Sequence, residues 1–343
     1  MKAKITLKIL TDAVLAISCL LLICFNSLLI YGLKMGKGQV YIVMNSRPVE
    51  DCLKDKQFQD SLKKKLLLIE DIRKYAMDSL GLKNSPNYTS VYDQKNKPAI
   101  WVLTACEPFE LKIKSWWFPV VGRVPYKGFF SKEEAEAEQV SLILQGYDTK
   151  LGSTNGWSTL GWFRDPILST MLYQSEGNLA ELILHELTHS TVFVKDNIQY
   201  NENLANFVGE TGAKKFLAFK FGKKSAQFIR YTNEQQDELT YNQYILRSLK
   251  KLDSLYKTLT VDQRIYEKKS KKEKLILAIV LGVQDLALNN KIRYIKISKR
   301  ALLCKNAFFM EFIRYDSEHD LFEEKFRRNA GSNLKTFIKQ QKQ

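Results

Sequence analysis

Histidine is scarce in this sequence, and cysteine gives no framework of its own. The 343 residues contain three histidines and five cysteines. Cys19 and Cys24 fall in an apolar N-terminal run, and Cys52, Cys106 and Cys304 are widely spaced. The spacing therefore excludes both a disulfide scaffold and a Cys-x-x-Cys zinc site. In an exported domain it would still allow one bridge, such as Cys52 with Cys106.

Acidic residues are also in the minority, which leaves the chain strongly basic. It carries 53 Lys and Arg against 37 Asp and Glu, a formal net charge of +16. Such a charge attracts nucleic acid or an anionic membrane surface. The basic runs are scattered, however, and no nucleic-acid-binding signature accompanies them. We therefore predict a solvated basic surface and no nucleic-acid partner. The hydrophobic content of 45% indicates a folded chain.

One long hydrophobic run is present, near the N-terminus. Residues 13–33 contain no charge and are enough for a helix that spans a bilayer. Lys2, Lys4 and Lys8 precede the run, so the positive-inside rule places residues 1–12 in the cytoplasm. We predict an uncleaved signal anchor, membrane lipid as a partner and a location outside the cytoplasm, in the periplasm or the extracellular space, for the chain that follows the anchor. A cleaved signal peptide is the main alternative.

The rest of the pattern is mixed at first and then almost entirely helical. The periodicity predicts helices over Lys56–Leu80 and Ser131–Gln145, and a further helix with Asn178 as its N-cap and Glu181 at the capping-box position. From about Ser225 the pattern stays helical almost to the end. Three segments are predicted to be strands: Pro98–Ala105, Phe109–Ile113 and Asp148–Leu151.

These patterns predict an α+β fold: an N-terminal transmembrane helix, a small mixed sheet, a mainly helical domain and a helical C-terminal part. The chain after the anchor is predicted to form one domain over residues 34–343. Its parts are an α/β region at 34–176, a pair of helices at 177–222 and a helical region at 223–343.

The most informative motif is His185-Glu186-Leu187-Thr188-His189. On a helix the two histidines lie one turn apart on one face, so both imidazoles can reach a single metal ion. Glu186 projects close enough to accept a proton from a metal-activated water. No charged residue other than Glu186 lies between Leu182 and Val194, as suits a buried active-site helix.

A catalytic zinc requires three protein ligands and one open position, and the motif supplies two. The third histidine, His319, lies far away in a charged stretch and is predicted at the surface. Glu202 is our choice of third ligand, because it follows His189 by 13 residues at the start of a helix that must fold back. Asn206, one turn later, is placed to orient a histidine. Two other carboxylates remain as alternative ligands: Asp196 and Glu210.

This ligand set predicts one zinc ion per chain and hydrolysis of a peptide substrate. Zinc lowers the pKa of its water to roughly 7 and polarises the scissile carbonyl. Glu186 accepts the water proton and returns it to the leaving amine. A neutral donor should stabilise the oxyanion, and three tyrosines are candidates: Tyr126, Tyr173 and Tyr200. An exopeptidase also needs an acidic group for the free amine of its substrate, for which Asp165 and Glu181 are candidates.

Around these motifs the chain resembles the bacterial putative aminopeptidases, a group of membrane-associated zinc peptidases with a His-Glu-x-x-His helix. The resemblance covers roughly residues 36–338. Trp117 and Arg123 stand where that family usually has cysteines. The landmarks are Gly38-Gln39, Trp116-Trp117-Phe118-Pro119, Tyr126-Lys127-Gly128-Phe129-Phe130, Ser158-Thr159-Leu160-Gly161-Trp162-Phe163-x-Asp165-Pro166, the histidine motif and Tyr200-Asn201-Glu202.

The resemblance implies zinc ligation by His185, His189 and Glu202, catalysis by Glu186 and an active-site loop near Ser158–Asp165. Together with the motif it predicts a zinc-dependent metallopeptidase, an aminopeptidase tethered by one N-terminal helix with its catalytic domain outside the cytoplasm. Residues 34–343 are then expected to form a zincin-like zinc peptidase domain in which residues 177–222 are the metal-site helices. A membrane-tethered zinc endopeptidase is the alternative within this class. The alternative from another class is a non-enzymatic basic membrane-surface protein with a structural metal site, against which the intact Glu186 argues.

Overall fold

The computed structural model describes residue 26 and residues 28–118, 122–153, 164–195, 197–315, 319–329 and 331–342. The chain divides into two compact units, Met1–Asn45 and Ser46–Gln343. In the first unit, residues 28–44 are helical. The predicted membrane span at residues 13–33 lies largely outside the described residues. Among the residues described, no helix combines the length and the apolar character that a bilayer crossing needs.

The described residues of the second unit form three small sheets. The first has the order β1 (Arg47–Pro48), β2 (Ser90–Tyr92), β8 (Ile167–Leu168), with β2 and β8 parallel. The second is antiparallel, with β3 (Trp101–Cys106) between β6 (Lys127–Phe129) and β7 (Asp148–Ser153). The third pairs β4 (Trp116–Phe118) with β5 (Gly122–Val124). The structure therefore confirms a mixed α+β class with little sheet.

The helices predicted before the motif are present, with shorter bounds. After the short α1 (Val49–Lys54), α2 (Asp60–Asp78) buries apolar side chains at helical spacing, and Gly81 follows it with φ of +69°. That positive φ suits glycine after a helix end. The helix α3 (Lys132–Leu144) begins as predicted, because the Ser131 hydroxyl accepts a hydrogen bond from the Glu134 amide at 3.2 Å.

The strand predicted at Phe109–Ile113 is wrong. Only Ile113 pairs, in an isolated bridge with Cys106. The Phe109 ring instead contacts the Tyr256 ring, with the ring centres 6.4 Å apart. Leu111 packs against the hydrophobic cluster that contains Tyr256. Alternate residues of this segment are apolar because they cover a helical core. The same alternation is typical of a strand, and this led to the wrong prediction.

From Glu176 onward the described chain is helical with short connections. The Ser225 hydroxyl caps the longest helix by accepting from the Phe228 amide, as the predicted start at Ser225 requires. The helices are α4 (Glu176–His189), α5 (Ile198–Lys220), α6 (Ala226–Lys257), α7 (Ile265–Gly282), α8 (Lys291–Ser298), α9 (Ala301–Cys304), α10 (Asn306–Tyr315), α11 (His319–Asn329) and α12 (Leu334–Gln341).

Two large hydrophobic clusters hold this unit together. The first surrounds α4 and takes side chains from α2, α5, α11 and α12. The second joins α6, α7, α8 and α10. Near the second, the buried Lys272 pairs with Asp148 of β7 and donates to the Pro108 carbonyl. Cys52 and Cys106 are separate, buried free thiols, so the bridge that the sequence allowed is not formed.

Candidate metal centre

The helix α4, which carries the motif, begins three residues earlier than predicted. The Ser175 hydroxyl accepts from the Asn178 amide at 3.2 Å, so Ser175 and not Asn178 is the N-cap. Either residue has suitable cap chemistry, and Ser175 comes first. As a result Glu181 lies in the interior of α4, one turn before His185, where its side chain meets α6 and not the helix terminus.

The α4 and α5 backbones approach closely beside the motif. A Cβ on Gly209 would lie 3.0 Å from the Glu181 carbonyl oxygen and 3.3 Å from the His185 Cβ. One turn later, a Cβ on Gly212 would meet the Leu184 side chain at 2.8 Å. Glycine at these two positions allows α5 to lie against the histidine-bearing helix.

The connection between the two helices is held by Asn201. Its Oδ1 accepts from the Val194 amide and its Nδ2 donates to the Val194 carbonyl, both at 2.8 Å. Asn197 caps α5 by accepting from the Tyr200 amide at 3.1 Å. The paired bonds fix the turn, and the next residue, Glu202, thereby faces the α4 histidines.

The structure brings His185, His189 and Glu202 together. The two histidine Nε2 atoms are 3.1 Å apart, and the Glu202 carboxylate oxygens lie 3.5 Å from His185 Nε2 and 3.7 Å from His189 Nε2. A tetrahedral zinc with bonds of about 2.0–2.1 Å places its ligand atoms about 3.3–3.4 Å apart. Two imidazoles and one carboxylate at these separations therefore fit a single zinc ion.

Glu202 and His185 each stabilise the charged form of the other. Burial opposes the charge of Glu202, yet hydrogen bonds to His185 and His189 keep the pKa of that carboxyl well below its usual range. Burial likewise opposes a charge on His185, but the Glu202 contact and the nearby Glu186 raise the pKa of His185. The carboxylate is thus ionised and able to bind a cation. The Glu202 side chain is 47% exposed and that of His189 is 5% exposed, so the set opens to solvent on the Glu202 side.

Glu186 lies between the two histidines and is 8% exposed. Its Oε2 atom is buried without a hydrogen-bond partner among the described residues, and so is the Nδ1 atom of His189. Buried polar atoms are nearly always paired. A carboxylate oxygen that the fold leaves open beside a candidate metal set is therefore available to a ligand or to water.

The other proposed ligand-sphere residues are placed differently. Asn206 follows Glu202 on α5, and its Nδ2 is buried without an acceptor among the described residues. Its role in orienting a histidine stays a prediction. Glu210 lies two turns beyond Glu202 and outside the ligand set. The Asp196 position and most of the predicted Ser158–Asp165 loop fall outside the described residues. His319 begins α11.

The three tyrosines proposed as oxyanion donors lie in separate places. Tyr126 is half-buried in the connection between β5 and β6. Tyr173 is 68% exposed at the end of a short 3₁₀ turn before α4. The Tyr200 hydroxyl donates to the Gln341 side chain at 2.9 Å, and its ring packs against Phe322. The Tyr200 side chain therefore binds to the C-terminal helices, and its hydroxyl donates to Gln341 in place of a substrate.

A tyrosine that the sequence did not single out, Tyr88, lies near Glu186. It is 1% exposed, and its hydroxyl has no partner among the described residues. Burial first, and then the charges of Glu186 and Asp165, raise the pKa of Tyr88 well above its usual value. Asp165 itself is buried and paired through Asn87. No local motif marks Tyr88, because contacts 78 residues apart position it.

Acidic groups cluster around Glu181, one helical turn before His185. The Glu181 carboxylate accepts from the Tyr231 hydroxyl at 2.8 Å and from the Gln235 amide at 3.1 Å. Burial, together with the charges of Glu210 and Glu238, raises the pKa of Glu181 to about 8. Helices α4, α5 and α6 thus contribute one carboxylate each to a site of high negative potential, one helical turn from a candidate metal ligand.

Comparison with known proteins agrees with this arrangement at the level of the family. The sequence model of the family described as "Putative aminopeptidase" matches residues 30–343. No curated protein and no solved structure matches the chain significantly. The family match includes the second compact unit in full and therefore the helices α4 and α5. Because it extends over most of the sequence, the chain belongs to the family of putative aminopeptidases.

Proposed function

We propose that this protein is a zinc-dependent peptidase that acts as an aminopeptidase. One observation supports it above all: two histidine nitrogens and a carboxylate converge at 3.1–3.7 Å beside an unpaired, buried Glu186 oxygen. The ligands would be His185, His189 and Glu202. Membership of the family supports the peptidase class, and the donor chemistry supports zinc.

The residues of the chain have distinct tasks in this reaction. A zinc ion, when bound, supplies Lewis acidity and makes water acidic, with a pKa of roughly 7. Glu186 takes the proton of the attacking water on its free carboxylate oxygen and delivers it to the leaving amine nitrogen. Glu202 binds on the solvent side, and the buried helix α4 keeps both imidazoles fixed.

The acidic cluster favours an aminopeptidase over an endopeptidase. An exopeptidase must bind the ammonium group of its substrate. Glu181 acts electrostatically on His185, and the charges of Glu210 and Glu238 act on Glu181, so an acidic cluster begins one helical turn before His185. An ammonium group there would relieve the repulsion between carboxylates. An endopeptidase has no such group to bind, and its substrates would be cleaved within the chain.

A metal of purely structural use is the alternative from another class. Structural zinc sites are usually closed by four protein ligands, whereas catalytic sites keep one position open. In the described part of the chain the set has three members. Glu186 would also have no task in a structural site, so we favour catalysis.

Attachment to a membrane is a separate part of the proposal. The uncharged residues 13–33, preceded by Lys2, Lys4 and Lys8, support a single signal anchor with the peptidase domain outside the cytoplasm. Alkaline extraction of membranes and protease protection of the full chain would test this. Release by alkali, or a C-terminal domain that added protease cannot reach in spheroplasts, would contradict it.

The peptidase function is tested with the full chain in detergent. Zinc content and cleavage of a peptide library are measured for the wild type, for Glu186→Gln and for Glu176→Gln, a matched change in the first turn of the same helix where Glu176 pairs with Lys65. We expect one zinc in each protein and cleavage lost only in Glu186→Gln. Release of single N-terminal residues would support an aminopeptidase. Zinc without cleavage in the wild type, or no zinc, would refute the proposal.

A further inference from the structure

The hydroxyl of Tyr88 is buried and has no hydrogen-bond partner within the described residues. The residue is 1% exposed and packs in the main hydrophobic cluster around α4. Removing a hydroxyl from water without a replacement partner is unfavourable. A phenylalanine would fill the same space without that cost, so the fold alone does not explain the oxygen.

The backbone of Tyr88 is held in an uncommon conformation. Its φ is +62°, in the left-handed region that aromatic residues rarely occupy. The Tyr88 amide donates to the Asp165 carbonyl at 2.7 Å. Asn87 accepts from the Asp165 amide at 3.1 Å and donates to the Asp165 carboxylate at 3.4 Å. Three bonds to Asp165 thus hold the backbone at Asn87 and Tyr88, and a backbone conformation of this kind is typical of functional positions.

The ring lies within electrostatic reach of Glu186. The charges of Glu186 and Asp165 add to burial in raising the pKa of Tyr88. The hydroxyl therefore keeps its proton at any working pH. Glu186 Oε2 is unpaired as well. Within the described part of the chain, the site thus contains a buried acceptor and a buried neutral donor, neither of which is hydrogen-bonded to a protein group.

We propose that Tyr88 is the neutral hydrogen-bond donor of the active site, whose hydroxyl donates to the substrate carbonyl oxygen as negative charge develops on it. This assignment rests on the proposed peptidase function. It replaces the three tyrosines considered from the sequence, of which Tyr173 is exposed and Tyr200 is bound to Gln341. A preorganised donor of this kind contributes only when the charge forms.

The test compares Tyr88→Phe with Tyr241→Phe in the zinc-loaded full chain. Tyr241 is a buried tyrosine of the second cluster whose hydroxyl is bonded to Ser298 at 2.7 Å. We expect Tyr88→Phe to lower kcat by about 10²–10³-fold with little change in KM or zinc content. The metal-free Tyr88→Phe should unfold at the same temperature as the wild type or higher. Tyr241→Phe should keep its kcat and unfold at a lower temperature.

A structural role for Tyr88 would give the opposite result. If Tyr88→Phe loses activity and also loses zinc or stability, the proposal for Tyr88 is wrong. An unchanged kcat would also overturn it. In both cases the proposed peptidase function would remain. If the zinc-bound wild type cleaves nothing, the proposed function fails. The role of Tyr88 is then tested by the binding of a phosphinic peptide, which mimics the charged transition state. Weaker binding to Tyr88→Phe than to the wild type would then support the donor role, and equal binding would refute it.

Discussion

Asn201 holds Val194 by both ends of its side-chain amide, accepting from its N–H and donating to its carbonyl at 2.8 Å each. This pair of bonds closes the turn between α4 and α5. It also explains why asparagine precedes glutamate at positions 201 and 202, because Asn201 fixes the turn and Glu202 reaches the histidines. The proposed third ligand is thus positioned by its neighbour in the chain.

Replacing Asn201 should therefore weaken metal binding as well as stability. We expect Asn201→Ala to lower the free energy of unfolding by about 1–3 kcal/mol, since it leaves the partly buried N–H and carbonyl of Val194 without their partners. Zinc affinity should fall about 10–100-fold, as for other groups that orient ligands. Denaturant unfolding and competition with a chelator measure the two effects.

Asn203 provides the control for that variant. It is also buried on α5, but neither end of its amide has a partner among the described residues. Asn203→Leu should keep its zinc affinity and should be as stable as the wild type or more so. Equal zinc affinities for Asn201→Ala and the wild type would show that the turn does not position Glu202.

The close approach of α5 to α4 predicts unequal effects at two glycines. Gly209→Ala places a methyl against the Glu181 carbonyl and the His185 Cβ, whereas Gly212→Ala meets the end of the flexible Leu184 side chain. Overpacking of this kind costs about 1–3 kcal/mol. Both variants should lose stability, but only Gly209→Ala should lose zinc affinity. Titration of zinc into both would check this, and an equal loss would contradict it.

The raised pKa of Glu181, about 8 against an ordinary 4.5, predicts how stability depends on pH. Between these values the folded metal-free protein binds more protons than the unfolded chain, so its stability falls as the pH rises from about 5 to 8. Glu181→Gln should flatten this decline. Thermal unfolding of both proteins across that range measures it.

Glu176→Gln is the matched control on the same helix. Burial opposes its charge, but the hydrogen bond from Lys65 lowers the pKa of Glu176 below its ordinary value. Its stabilising effect is therefore lost only as the pH falls below that range, and Glu176→Gln should leave the decline between pH 5 and 8 unchanged. A decline that persists undiminished in Glu181→Gln would rule out Glu181 as its origin.

The buried ion pair of Lys272 and Asp148 predicts a stability effect far from the candidate site. Lys272→Met leaves Asp148 charged and buried, which costs about 3–5 kcal/mol. Adding Asp148→Asn should recover much of this loss and still allow the bond from the Asn306 amide. Denaturant unfolding of the single and double variants tests it. A double variant no more stable than Lys272→Met would mean that the buried charge is not the cause.

The metal set could be predicted from sequence because its geometry is almost entirely local. His185 and His189 share a helix face by spacing alone, and Glu202 follows after one short turn. Tyr88 could not be found in this way, since its position depends on Asp165 far along the chain. The N-cap at Ser175 was missed because two suitable residues compete within one turn. The strand at Phe109–Ile113 was misassigned because apolar alternation also occurs where a loop covers a helical core.

The compactness of this site in sequence has a consequence for how the protein folds. All three proposed ligand residues fall within 18 consecutive positions, His185 to Glu202, so bringing them together closes only a short loop and costs little chain entropy. We expect the α4–α5 hairpin to capture zinc early and to act as a nucleus to which Tyr88 and the later helices are added through slower, long-range contacts. Pulse-labelled hydrogen exchange during refolding would show it: with zinc present, the amides of α4 and α5 should be protected first.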